Sequence, residues 1–278
     1  MIQYDPKSWW GLIFKFHKSD TFRRLLPAMV TVALYTEGIA YADLELWPHR
    51  LHATPAFHSL LGFVISLLLV FRTNTAYERW WEGRKLWGSL TNASRNLALK
   101  LHACLPERHH TRVVFASILS SYAFTLKDHL RDIHPGHPGP IRHAPNAVAA
   151  RLFAEVEKLR RHGDISAEHV INMNAELTAF TDICGACERI KKTPIPYSYS
   201  LFLKKFVFVY IISMPFLFVP EFGYWTALLT TFMLYVLGSL EIIAEEVENP
   251  FGTDANDLPT DDMAKAIALH VGEILVGK

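Results

Sequence analysis

The sequence predicts an all-α membrane protein with four transmembrane helices and a large cytoplasmic helical region. Three observations carry this reading. Apolar residues make up 50% of the chain but are unevenly spread, with uncharged runs near both ends and a middle, about residues 79–192, rich in charge and histidine. The runs approach the ~20 residues needed to cross roughly 30 Å of hydrocarbon. Lys and Arg crowd one side of those runs, as the positive-inside rule requires of cytoplasmic segments.

Residues 1–24 place Trp9, Trp10, Phe14 and Phe16 among Lys7, Lys15, Lys18, Arg23 and Arg24, the pattern of an amphipathic segment at the cytoplasmic membrane surface. They lack the basic start and short apolar core of a cleavable signal peptide. Residues 25–76 hold the first two spans. The first, Leu25 to about Leu46, carries Glu37, which fits best near the outer interface because Asp43 and Glu45 follow closely. After the loop Ala42–Pro55, the second span begins at Phe57 and meets no Asp, Glu, Lys or Arg until Arg72.

No proline or paired glycine interrupts the stretch from Phe57 to Gly88, so one continuous helix is expected to leave the bilayer and continue. Along it Phe63, Leu67 and Phe71 recur every fourth residue, which stacks them about 6 Å apart on one face. Such a row either packs a core or lines a constriction, and periodicity does not separate the two.

Residues 77–199 read as a cytoplasmic helical region. Apolar positions at helical spacing run to about Ile133, and residues 131–146, with four prolines and three histidines, mark an exposed connection. His134, His137 and His143 bring imidazoles together in sequence but without nearby cysteines, so zinc is not expected there. Helices resume over Ala147–His162 and Ser166–Arg189, with Ser166 as N-cap. Cys184 and Cys187 lie within the second. An all-helical setting does not suit a redox pair, and they read as buried structural thiols.

Pro194 and Pro196 end that region. Residues 200–245 form the third and fourth spans, Ser200–Val219 and Tyr224 to about Ile243, turning at Pro220–Gly223, with Lys204 and Lys205 at the inner surface. Residues 246–278 are an acidic cytoplasmic segment ending in an amphipathic helix. The loops at 42–55 and 220–223 hold Arg50 alone among basic residues, which puts both termini in the cytoplasm.

A net charge of +1 gives no basis for a nucleic-acid partner, and three cysteines suit a reduced compartment better than a disulfide scaffold. No nucleophile–base pair, phosphate loop or metal spacing points to an enzyme. Neither a catalytic residue nor a resident cofactor or metal is expected. The scattered histidines His17, His109 and His110 give no ground for pH sensing.

Three motifs, FRTNTAYERWWEGRKLWG at 71–88, CERIKKTPIPYSY at 187–199 and EEVENPFGTDANDLP at 245–259, resemble the bestrophin family and specifically its bacterial members. The resemblance covers nearly the whole chain. It implies a homopentameric ion channel of the bacterial inner membrane, with one pore on the fivefold axis and the second span lining a hydrophobic neck. Phe63, Leu67 and Phe71 match the three constricting positions. A second, cytosolic aperture is set by the resemblance at Leu177. In animal members an acidic stretch after the NPFG turn binds calcium, and Asn249, Asp254 and Asp257 correspond by position. Here Ala255 and Asn256 interrupt the acids, leaving few oxygens for a cation that takes six to eight, so calcium is not expected.

An apolar neck of this kind blocks ions by dewetting and conducts when it widens slightly. Acids at Asp43, Glu45, Glu221 and the inner end favour monovalent cations such as sodium. Arg72 and Arg79, just below the neck, argue for the alternative, a chloride or anion channel. A non-conducting membrane scaffold would share the same spans.

Overall fold

The computed structural model describes residues 20–46, 55–106, 110–133 and 142–277, and among these all regular structure is helical. The expected amphipathic segment lies almost wholly outside them, as do His17, His109, His134 and His137. The helices are α1 (Asp20–Tyr41, continued by a π turn Ala42–Leu46), α2 (Pro55–Cys104), α3 (Thr111–Leu130), α4 (Ala144–His162), α5 (Ala167–Lys192), α6 (Tyr197–Phe222), α7 (Thr226–Glu248) and α8 (Thr260–Val276).

The chain divides into two compact units. One takes in Arg79–Thr193 and Asn249–Lys278, the other Ile2–Glu78 and Pro194–Glu248. In the first, α3 packs on α4 and α8, and α4 on α5. Its core draws Trp87, Leu90 and Leu97 from α2, Phe115 and Tyr122 from α3, Phe180 from α5 and Ile267 from α8. Local signals set the helix limits. The Ser166 hydroxyl accepts from the His169 N–H while His169 Nδ1 accepts from the Ser166 N–H, a reciprocal cap that starts α5. Gly163 closes α4 at φ 82°, a left-handed conformation that favours glycine.

In the second unit α1 lies along α7, and α6 packs on α7. The core there joins Ile65 and Leu69 of α2 to Leu203, Tyr210, Ile211 and Met214 of α6 and Leu237 of α7. Three helical stretches are long and apolar enough to cross a membrane: Thr21–Leu46, Ala56–Cys104 and Tyr197–Glu248. The sequence pattern counts four. The difference arises because α6 runs through Pro220 to Phe222 and passes into α7 through a single 3₁₀ turn, Gly223–Trp225, leaving no loop between them. The two helices are nonetheless antiparallel, since Lys204 near the start of α6 pairs with Glu245 near the end of α7.

Candidate functional site

The α2 helix has an inward and an outward side within the second unit. Inward, the imidazole of His58 stacks on the Tyr210 ring at 4.0 Å and 9°. Gly62 lets that ring approach so closely that a Cβ at residue 62 would lie 2.9 Å from the Tyr210 hydroxyl oxygen. Ile65 and Leu69 are buried below, and the Tyr199 hydroxyl donates to the Leu68 carbonyl at 3.0 Å. A helix fastened along this side must turn its opposite residues away. Phe63, Leu67 and Phe71 accordingly stand 67%, 47% and 57% exposed, in one stripe that continues into the exposed Asn74 and Glu78.

No free hydroxyl interrupts the apolar part of this helix. Ser66 Oγ donates to the Gly62 carbonyl at 2.8 Å and Thr73 Oγ1 to the Leu69 carbonyl. Each turns back onto its own helix instead of offering water a partner.

Immediately after Phe71 the helix buries a charge. The Arg72 side chain is 1% exposed, with Nη1 2.7 Å from Glu248 Oε2 and Nε 3.6 Å from Glu241 Oε2. These are close ion pairs without hydrogen-bond alignment. Glu248 also accepts the Ile195 N–H at 2.6 Å, tying α2 to the entrance of α6. The other acids at the end of α7 are matched as well, Glu245 by Lys204 and Glu246 by Arg24 at 3.0 Å. The inner-end carboxylates are therefore paired, and Arg72 faces its own unit. Arg79, in the first unit, donates to the carbonyls of Ile190 and Thr193. Glu37, Glu45 and Glu221 are exposed, and Asp43 is buried.

Leu177, set at a second aperture through the resemblance, has its side chain 2% exposed in the core of the first unit. Cys184 and Cys187 are buried in the same core, where desolvation pushes the Cys184 thiol up to about 12 and raises Cys187 as well. Both are inert structural thiols.

The segment after α7 is closed on itself. The Asp257 carboxylate accepts the Asp254 N–H at 2.6 Å, and a Cβ on Gly252 would meet that same carboxylate at 2.6 Å. Asn249 lies at the edge of this turn. Arg131 donates to the Phe251 carbonyl at 3.3 Å, to Asp261 at 2.7 Å and to Thr260 Oγ1 at 3.0 Å, which sets a guanidinium beside the carboxylates. Lys127 also holds Asp261, at 2.9 Å. Lys127 and Arg131 thus place two cations on Asp261, beside the turn that carries Asp254 and Asp257.

Comparison with known proteins follows the same lines. The model of a family described as bacterial/fungal bestrophin protein matches residues 1–273. A protein from Synechocystis named voltage-dependent anion channel-forming protein is 30% identical, covering 97% of this chain and 92% of its own. An Escherichia coli K12 protein of the same designation is 32% identical over 98% and 93%. The crystal structure of a mutant of a bacterial bestrophin homologue from Klebsiella pneumoniae superposes with a TM-score of 0.82 at 30% identity, covering 91% of this chain and 99% of that one.

Proposed function

Because the chain belongs to the bacterial/fungal bestrophin family, we propose that it is a homopentameric ion channel of the bacterial inner membrane whose neck is formed by Phe63, Leu67 and Phe71. In this reading each subunit crosses the bilayer four times, with α6 and α7 as separate crossings and both termini in the cytoplasm. The unit of Arg79–Thr193 and Asn249–Lys278 lies on the cytoplasmic side. Family and channel-named relatives point to a channel and away from an enzyme.

One observation carries the proposal. The Phe63, Leu67 and Phe71 side chains are bare on a helix whose other side is fully engaged, and copies arranged around an axis would cover them with one another. Rings of such side chains hold water poorly when narrow, so the pore closes without a plug. Proximity to lipid alone would also tolerate them, and conductance separates the two.

We infer that the permeating ion is a monovalent cation such as sodium. With Arg72 and Arg79 turned to their own units, the first charged side chain along the bare stripe after Phe71 is Glu78, and Glu45 and Glu221 are exposed at the outer side. The names of the relatives favour the second reading, an anion channel. Recording purified protein in a planar bilayer under a sodium chloride gradient tests both. The expected result is reversal near the sodium equilibrium potential, with larger currents for Leu67→Ala. Reversal near the chloride potential replaces the selectivity assignment and keeps the channel. Silence from both proteins, with oligomers confirmed, returns the chain to a scaffold role.

A further inference from the structure

Three side chains from three helices of the first unit converge: His129 in the last turn of α3, His143 at the N-cap of α4 and Glu188 on α5. Both imidazoles bring Nε2 to the same carboxylate oxygen, at 2.5 Å from His129 and 2.6 Å from His143. Their rings are 4.5 Å apart and tilted by 58°, so the two nitrogens approach from different directions. One ligand atom from each residue lies within 4.8 Å of the others, and this is the one group of that kind among the described residues.

We propose that His129, His143 and Glu188 form a binding site for a divalent transition-metal ion of the zinc class. Two imidazoles and a carboxylate are a borderline nitrogen and oxygen set, which suits zinc and not calcium or magnesium. Metal–ligand bonds of about 2.0–2.2 Å in a tetrahedron separate the ligand atoms by roughly 3.3 Å, so rotations that open the present contacts by under about 1 Å admit the ion. Solvent completes the shell, since all three side chains are partly exposed.

The chemistry balances through protons. In the unliganded cluster His143 Nδ1 accepts the Asn146 N–H at 3.2 Å, which places the ring proton on Nε2. Binding through Nε2 moves that proton to Nδ1 and gives up the Asn146 bond. Affinity is therefore moderate. Glu188 Oε1, met by both imidazoles, is already positioned as a ligand. Lys192, 3.8 Å from the second oxygen, is exposed and free to move off. An ion here would pin the ends of the connection from α3 to α4 onto α5.

The test is a zinc chloride titration of the purified full chain in detergent at neutral pH, read by calorimetry and by the unfolding midpoint. It needs no conductance, so its outcome is independent of the channel assignment. One zinc per chain is expected, with a raised midpoint. Glu188→Gln and His143→Ala each weaken binding by about 10–100-fold or more, because a lost ligand costs at least what a lost outer partner does. His162→Ala, an exposed histidine at the other end of α4, leaves it unchanged. Equal affinity in all variants, or no binding by the wild type, overturns the site. Should the variants misfold, cobalt on the wild type decides. Intense visible absorption marks the low-coordinate site, and only the weak absorption of the hydrated ion refutes it.

Discussion

Arg72 shows how much one side chain can be asked to hold. It carries a charge into a fully buried position and meets Glu241 and Glu248 there. Such a pair adds little net stability over apolar packing, yet breaking it strands the partner charges. Arg72→Met should lower unfolding stability in detergent by about 3–5 kcal/mol, and adding Glu241→Gln and Glu248→Gln should restore most of it. Thermal or denaturant unfolding of the wild type and these two variants checks this, and failure of the triple variant to recover would refute the stranded-charge account. Residue-level roles were the least legible part of the sequence. Leu177, set at an aperture through the resemblance, is buried in the core of the first unit, a burial that the pattern along α5 does not specify. His143 was grouped with its neighbours in sequence, whereas its partners lie 14 residues before and 45 after it, a convergence that only the tertiary fold creates.

At the scale of the element, α2 is decided by its inward side. The close approach at Gly62 allows Tyr210 to stack on His58, and so turns Phe63, Leu67 and Phe71 outward. Gly62→Ala should destabilise the protein by about 1–3 kcal/mol, as overpacking does, and Tyr210→Phe, which removes the clashing oxygen, should relieve part of that in the double variant. Additive losses in a double-variant cycle would show that the hydroxyl is not the obstacle. Helices themselves were readable from the chain. The unbroken run after Phe57 gave one helix, Pro55–Cys104, and Ser166 marked the start of α5. The turn between α6 and α7 was misread in detail, since Pro220 looks like a stop signal but is accommodated within the last turn of α6.

Across the molecule, the buried charges Arg72, Glu241 and Glu246 are paired, as are many exposed ones, and pH should reveal the pairing. Lys127 and Arg131 draw the Asp261 carboxyl below its usual range against the cost of burial. A carboxylate whose folded value is depressed contributes stability fully above its unfolded value and loses it as pH falls through the folded one. The unfolding midpoint in detergent should therefore fall on acidification below the ordinary carboxylate range, and the fall should be shallower in Asp261→Asn. Parallel acid profiles would sink the assignment. The division into apolar ends and a charged middle was plain in the composition, because solvent preference is written residue by residue. What the composition could not carry is whether an exposed apolar residue suits lipid or another protein surface, since both environments reward the same side chains.

The burial of Cys184 and Cys187 has a use at the bench. Of the three thiols, only Cys104 is partly accessible, so replacing it alone gives a chain nearly silent towards thiolate-directed labels. Single cysteines introduced at Phe63, Leu67, Phe71 and Glu78 could then be interrogated one at a time in native membranes. The α5 thiols, kept protonated by their surroundings, would serve as an internal alarm, reacting only when the first unit comes apart.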